Sequence, residues 1–105
     1  MSPGHIDVTR NGSQATAALV GEFDMAATFT IEPALERLLA RPELRALTLD
    51  LRALRFIDST GVGVLLRVHD EAERREIALA IEPGPPEVHR VFEVAGLADV
   101  LPFAS

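Results

Sequence analysis

The stretch Leu47-Thr48-Leu49-Asp50-Leu51-Arg52-Ala53-Leu54-Arg55-Phe56-Ile57-Asp58-Ser59-Thr60-Gly61-Val62-Gly63-Val64-Leu65-Leu66 changes its hydrophobic period partway along, and that change decides the fold. Leu47, Leu49 and Leu51 alternate with Ala46, Thr48 and Asp50, the period of two that a strand requires. Val62, Leu65, Leu66, His69 and Ala72 instead recur at i, i+3, i+4, i+7 and i+10, which places them on one face of a helix. Arg52 to Ile57 reads as the connector, and Asp58, Ser59 and Thr60 are all good N-cap residues for a helix that starts at Ser59 or Thr60 and runs to about Arg75. Ile77, Leu79 and Ile81 then alternate as another strand. A strand-helix-strand crossover of this length implies parallel neighbours in one sheet.

Upstream, His5 to Arg10 and Gln14 to Val20 are short β-leaning runs around Asn11-Gly12, the dipeptide best suited to the positive φ angles of a tight hairpin. Gly21-Glu22-Phe23-Asp24 breaks the pattern, and Asp24 can cap a helix that runs to about Ala40 and buries Leu35, Leu38 and Leu39. Pro33 lies inside that span and deletes the hydrogen bond to Phe29, so the expectation is a kink, or a helix that effectively begins near Glu32. Arg41-Pro42 stops it. Downstream, Glu82-Pro83-Gly84-Pro85-Pro86 makes a rigid turn with proline in the first turn of a third helix. Val88, Val91, Phe92 and Ala95 line its inner face, Gly96 suits a left-handed cap, and Leu97 to Phe103 can add a short final strand. The expected architecture is α/β, one domain over residues 1–105, a mixed β-sheet with helices packed on it in the order β-β-α-β-α-β-α.

Composition narrows the function. Ten basic residues, all arginine, against sixteen carboxylates leave a net charge of -6 over 105 residues. A direct nucleic-acid ligand calls for a basic face, and no stretch gathers more than two arginines. The absent lysine removes a Walker-type phosphate grip and a Schiff base, so nucleotide turnover by this chain is not expected. With no cysteine there is no disulfide, no thiolate zinc site and no sulfur nucleophile, a composition compatible with the cytoplasm. Residues 1–5 show neither a basic n-region nor an apolar h-region, and no apolar run approaches the ~20 residues of a membrane helix.

Asp58-Ser59-Thr60-Gly61 is the leading chemical candidate. It serves as a cap, and the same geometry offers a hydroxyl beside unpaired N–H donors that favour an added phosphate; the two readings are compatible. An aspartic-protease Asp-Thr-Gly loop is not matched, because Ser59 and Thr60 both separate Asp58 from Gly61 and a helical pattern follows. A receiver domain phosphorylated on Asp50 would need an acidic pair for magnesium and a lysine, and neither is present. His5, His69 and His89 lie on different elements without metal-ligand spacing. No Gly-x-Ser-x-Gly elbow supports a hydrolase triad on Ser59, and Glu71 to Glu76 reads as a solvated charged face. The expectation is a protein that is not an enzyme and carries no cofactor or metal.

Gly21-Glu22-Phe23-Asp24, Leu49-Asp50-Leu51, Phe56-Ile57-Asp58-Ser59-Thr60-Gly61-Val62-Gly63-Val64-Leu65-Leu66 and Val88-His89-Arg90-Val91-Phe92-Glu93-Val94-Ala95-Gly96-Leu97 together resemble the STAS-domain proteins, and among them the bacterial anti-sigma factor antagonists. The resemblance implies a single STAS domain whose unphosphorylated form binds an anti-sigma factor serine kinase and releases the sigma factor. Phosphorylation of Ser59 would then switch binding off, and a PP2C-type phosphatase, metal-dependent, would reset it. It further implies a partner-binding surface of Asp24, Asp58, Ser59, Thr60, Gly61 and Val62, in which Thr60 is a neighbouring hydroxyl. The alternative kept open is a STAS subunit that docks without switching, in a stressosome-like scaffold or a lipid-transport ABC complex. Two features depart from the family pattern: Pro33 falls late in the first helix, and Glu73-Arg74-Arg75-Glu76 replaces a small, Gly-containing turn.

Overall fold

A computed structural model describes residues 3–104. The chain forms β1 (His5–Asn11), β2 (Gln14–Phe23), α1 (Met25–Leu39), β3 (Ala46–Ile57), α2 (Ser59–Arg74), β4 (Ala78–Glu82) and α3 (Pro86–Val94). The strands make one mixed sheet in the order β1-β2-β3-β4, with β1 antiparallel to β2 and both other pairs parallel. The expected order of elements is therefore observed. The hairpin loop sits one residue later than the Asn11-Gly12 reading: Asn11 pairs with Gln14, leaving Gly12 and Ser13 as the loop, and only Gly12 takes positive φ.

Both strands that lead into helices are longer than their sequences suggest. Gly21-Glu22-Phe23 does not break β2, and the supposed connector Arg52 to Ile57 is the second half of β3. The cause is a pair of irregularities. From Ala18↔Asp50 to Val20↔Ala53, and again from Gly21↔Leu54 to Glu22↔Phe56, β3 advances one residue more than β2. Each bulge resets the alternation, so the inward residues become Leu51, Leu54 and Ile57, spaced by three, and all three are buried. Gly21, at the second bulge, has a φ of 87°, a conformation glycine adopts without strain.

Helix α1 is continuous from Met25, in line with Asp24 as its cap, and the later start near Glu32 that Pro33 left open is not found. Its first turn is fixed from both ends of Asp24, whose Oδ1 accepts the Ala27 amide at 3.0 Å and whose carbonyl accepts Thr28 at 3.2 Å. Pro33 removes one rung, and the buried stripe Ala27, Ile31, Leu35, Leu38, Leu39 carries the helix past it. On α2 the buried face is Gly61, Val62, Val64, Leu65, Val68 and Ala72, rotated from the expected one so that Leu66 and His69 are only half-buried. Val88 and Phe92 anchor α3, whereas Ala95 is exposed. Ile77 precedes β4 and closes the cap of α2 by donating to Ala72 at 2.8 Å. Gly96 adopts a φ of 75° as expected, while Leu97 donates to Phe92. The final segment contributes a single parallel bridge, Ile81↔Phe103, short of a strand.

The inward positions of β2, β3 and β4 share one face with the apolar sides of the helices, and Leu19, Ile31, Leu49, Leu65, Ile81 and Phe92 are fully buried there. Parallel strands β2 and β3 end at the same rung, Phe23↔Ile57, so α1 and α2 begin side by side at one end of the sheet.

Candidate functional site

The two helix starts repeat one arrangement. Asp24 and Asp58 each follow the last strand residue, take extended backbone (φ -103° and -113°) and cap their helices with their own carboxylates. The two starts are also tied together, since the Asp58 amide donates to the Phe23 carbonyl at 3.3 Å. Gly61 allows this closeness: a Cβ there would fall 2.8 Å from the Phe23 carbonyl oxygen and 2.9 Å from Cγ1 of Ile57.

Asp58 is heavily used. Its Oδ1 accepts the amides of Thr60 at 3.0 Å and Gly61 at 3.1 Å and the Thr60 hydroxyl at 2.5 Å, while its carbonyl accepts Val62. Desolvation alone pushes the Asp58 carboxyl upward, but the Thr60 hydroxyl and the amides of Gly61, Thr60 and Met25 outweigh it and hold the group below the usual carboxylate range.

Ser59 is the first residue of α2 and is exposed, and among the described residues its hydroxyl makes no hydrogen bond. Capping therefore falls to Asp58, which leaves the Ser59 oxygen free. Thr60 differs: it is half-buried and its hydroxyl is given to Asp58. Gly61 and Val62 are buried and shape the turn from beneath. Asp24 and Asp58 are half-buried beside the site, and among the described residues neither takes part in an ion pair.

The other candidates stay apart. Asp50 is held by Arg52, which donates Nε and Nη2 at 3.0 and 2.9 Å and its amide at 3.0 Å; the Arg52 side chain keeps that carboxyl low. His5 lies beside Asp7, and His89 packs edge-on against Phe103 with ring centres 4.7 Å apart. His69, Asp70 and Glu73 do bring potential ligand atoms within 4.8 Å of one another, a grouping the search for paired histidines misses. They lie a ten-residue step along α2 from Ser59, roughly 15 Å. Two neighbours of the site also escaped the sequence reading: Met25 and Phe29, 60 and 78 percent exposed on α1. Their signal was available, because both fall off the stripe formed by Ala27, Ile31 and Leu35.

Residues 5–105 match the STAS domain family model, and the chain belongs to that family. It is 27% identical over 84 residues to the anti-sigma F factor antagonist of Paenibacillus polymyxa, covering 80% of this chain and 72% of that protein. It is 28% identical over 83 residues to the anti-sigma-B factor antagonist of Listeria monocytogenes, covering 79% and 72%. Its fold superposes on an anti-sigma factor antagonist from Mycobacterium paratuberculosis with a TM-score of 0.85, at 23% identity over 95% of this chain and 84% of the other. Unphosphorylated SpoIIAA, an anti-sigma factor antagonist, gives a TM-score of 0.80 at 22% identity, covering 96% and 89%. The chain is thus a STAS domain protein related to anti-sigma factor antagonists, and among the described residues no helix is long and apolar enough to cross a membrane.

Proposed function

We propose that this protein is an anti-sigma factor antagonist, acting in the cytoplasm, whose unphosphorylated form binds an anti-sigma factor serine kinase and releases the sigma factor. Phosphorylation of Ser59 by that kinase ends binding, and a PP2C-type phosphatase restores it. The observation that carries this reading is the division of labour at the start of α2: Asp58 makes the cap, and Ser59 is left exposed with an unbonded hydroxyl. Thr60, whose hydroxyl is already committed to Asp58, is not the acceptor. The existence of SpoIIAA structures in both unphosphorylated and phosphorylated forms is in keeping with a switch on this fold.

Phosphate adds about -1.5 to -2 charges beside Asp24 and Asp58. Amides at the N-terminus of α2 offset part of that charge locally, so the domain stays folded and the penalty falls on docking. A partner surface shaped for a small hydroxyl must desolvate a bulky dianion. A penalty of about 4 kcal/mol lowers affinity about a thousandfold, enough to switch. In this scheme the chain is the kinase's substrate, and the partner supplies ATP and the transfer chemistry. Titration of Ser59→Ala and Ser59→Asp against an anti-sigma factor kinase of the same genome tests it: the alanine variant binds as wild type and the aspartate variant binds weakly. Equal affinities would refute the switch.

A further inference from the structure

Resting on that reading, we infer that the kinase grips this protein through an apolar anchor on α1, Met25 and Phe29, received by an apolar socket with a cationic rim. Met25 and Phe29 are four residues apart and so stack on one side of α1. Phe29 is the most exposed large apolar residue described, at 78 percent, and Met25, 60 percent exposed, follows Asp24 directly, next to the tie between the Asp58 amide and the Phe23 carbonyl. The anchor therefore begins at the edge of the Ser59 site. Further along the same side of α1, Glu32 receives Arg67 of α2 through Nε at 2.7 Å and Nη2 at 3.3 Å. Ser59, Gly63 and Arg67 succeed one another at four-residue steps, so the two outward stripes run together from the paired caps to this ion pair. A Cβ at Gly63 would meet only the end of Arg67, so the surface between Ser59 and Arg67 stays low.

Charge selects the occupant. Asp24 and Asp58 stand at the start of the anchor without an ion pair among the described residues, while Glu32 further along is already matched by Arg67. A second copy using the same face would set carboxylates against carboxylates, whereas a rim of arginine or lysine on a different protein complements them. A solvent-exposed phenylalanine beside these carboxylates gains the burial and water exclusion of an interface anchor only once a partner covers it.

The test uses the full chain and an anti-sigma factor serine kinase of the same genome, immobilised without its sigma factor. Phe29→Ser is compared with wild type, with Ser59→Asp and with Val94→Ser, an exposed valine on α3. The inference expects Phe29→Ser to weaken binding by about 30-fold or more with an unchanged melting temperature, Val94→Ser to bind as wild type, and wild-type affinity to fall as salt is raised. Binding by Phe29→Ser equal to wild type, with Ser59→Asp still weakened, overturns the anchor and leaves the switch standing. Failure of wild type to bind any such kinase overturns both. A wild-type dimer in sedimentation velocity that Phe29→Ser dissociates assigns the face to a second copy and also overturns it.

Discussion

Replacing Asp58 by alanine separates the cap from the hydroxyl it leaves free. The substitution removes an acceptor of two backbone amides at 3.0 and 3.1 Å and of the Thr60 hydroxyl, and strands that hydroxyl in a half-buried position. Loss of an N-cap costs about 1 kcal/mol, and the released hydroxyl adds about another 1 kcal/mol, for a total near ~2 kcal/mol. At about 5 °C per kcal/mol for a domain of this size, the melting temperature falls by ~10 °C. Ser59→Ala, next in the chain, removes no hydrogen bond and leaves the melting temperature within about 2 °C of wild type. The loss at Asp58 depends on pH with a definite sign. Its carboxyl titrates lower when folded than the 3.8 of an unperturbed aspartate, so its contribution is present above that value and disappears as pH falls through the folded pKa. Urea unfolding of wild type and Asp58→Ala at pH 7 and again below pH 3 reads both effects: a gap of ~2 kcal/mol at pH 7 that shrinks in acid. A gap absent at pH 7, or one that does not shrink in acid, refutes the assignment of the cap to Asp58.

Other consequences follow from the backbone. Glu76 is the only non-glycine residue described with positive φ, 58°, at the end of α2, and Glu76→Gly raises stability by about 0.5–1 kcal/mol in thermal unfolding. Gly61→Ala drives a Cβ to 2.8 Å from the Phe23 carbonyl, costs about 2 kcal/mol or more, and shows as an early midpoint in urea. Gly63→Ala, whose Cβ meets only Arg67, is neutral or slightly stabilising in the same assay and so serves as its control.

Legibility in the sequence tracks how local each determinant is. The caps were local enough to read, Asp24 outright and Asp58 as one of three candidates with Ser59 and Thr60, because both aspartates bond amides two or three residues ahead and need nothing distant. Gly96 could be read for the same reason. The second half of β3 could not: its two bulges are defined by pairing with β2, a strand more than thirty residues away, and they convert the inward spacing from two to three at Leu51, Leu54 and Ile57. Whether α1 runs unbroken from its Asp24 cap was left open by Pro33, whose missing hydrogen bond is offset by burial of Ile31 and Leu35 on the opposite side, a tertiary contribution that propensity does not contain. At the site, residue types alone offered both hydroxyls and the family resemblance singled out Ser59; the structure adds that the Ser59 hydroxyl is open while that of Thr60 is bound to Asp58. Exposure of Met25 and Phe29, by contrast, was legible, since both fall off the stripe of Ala27, Ile31 and Leu35.

Incubating the protein with ATP and an anti-sigma factor serine kinase of its genome, then mapping modified residues by mass spectrometry, bears on the switch most directly. One phosphate on Ser59, none on Thr60, and loss of kinase binding by the modified fraction are the predicted result. An unmodified Ser59 in a protein that nevertheless binds the kinase, or a phosphate carried by Thr60 in its place, would contradict the account.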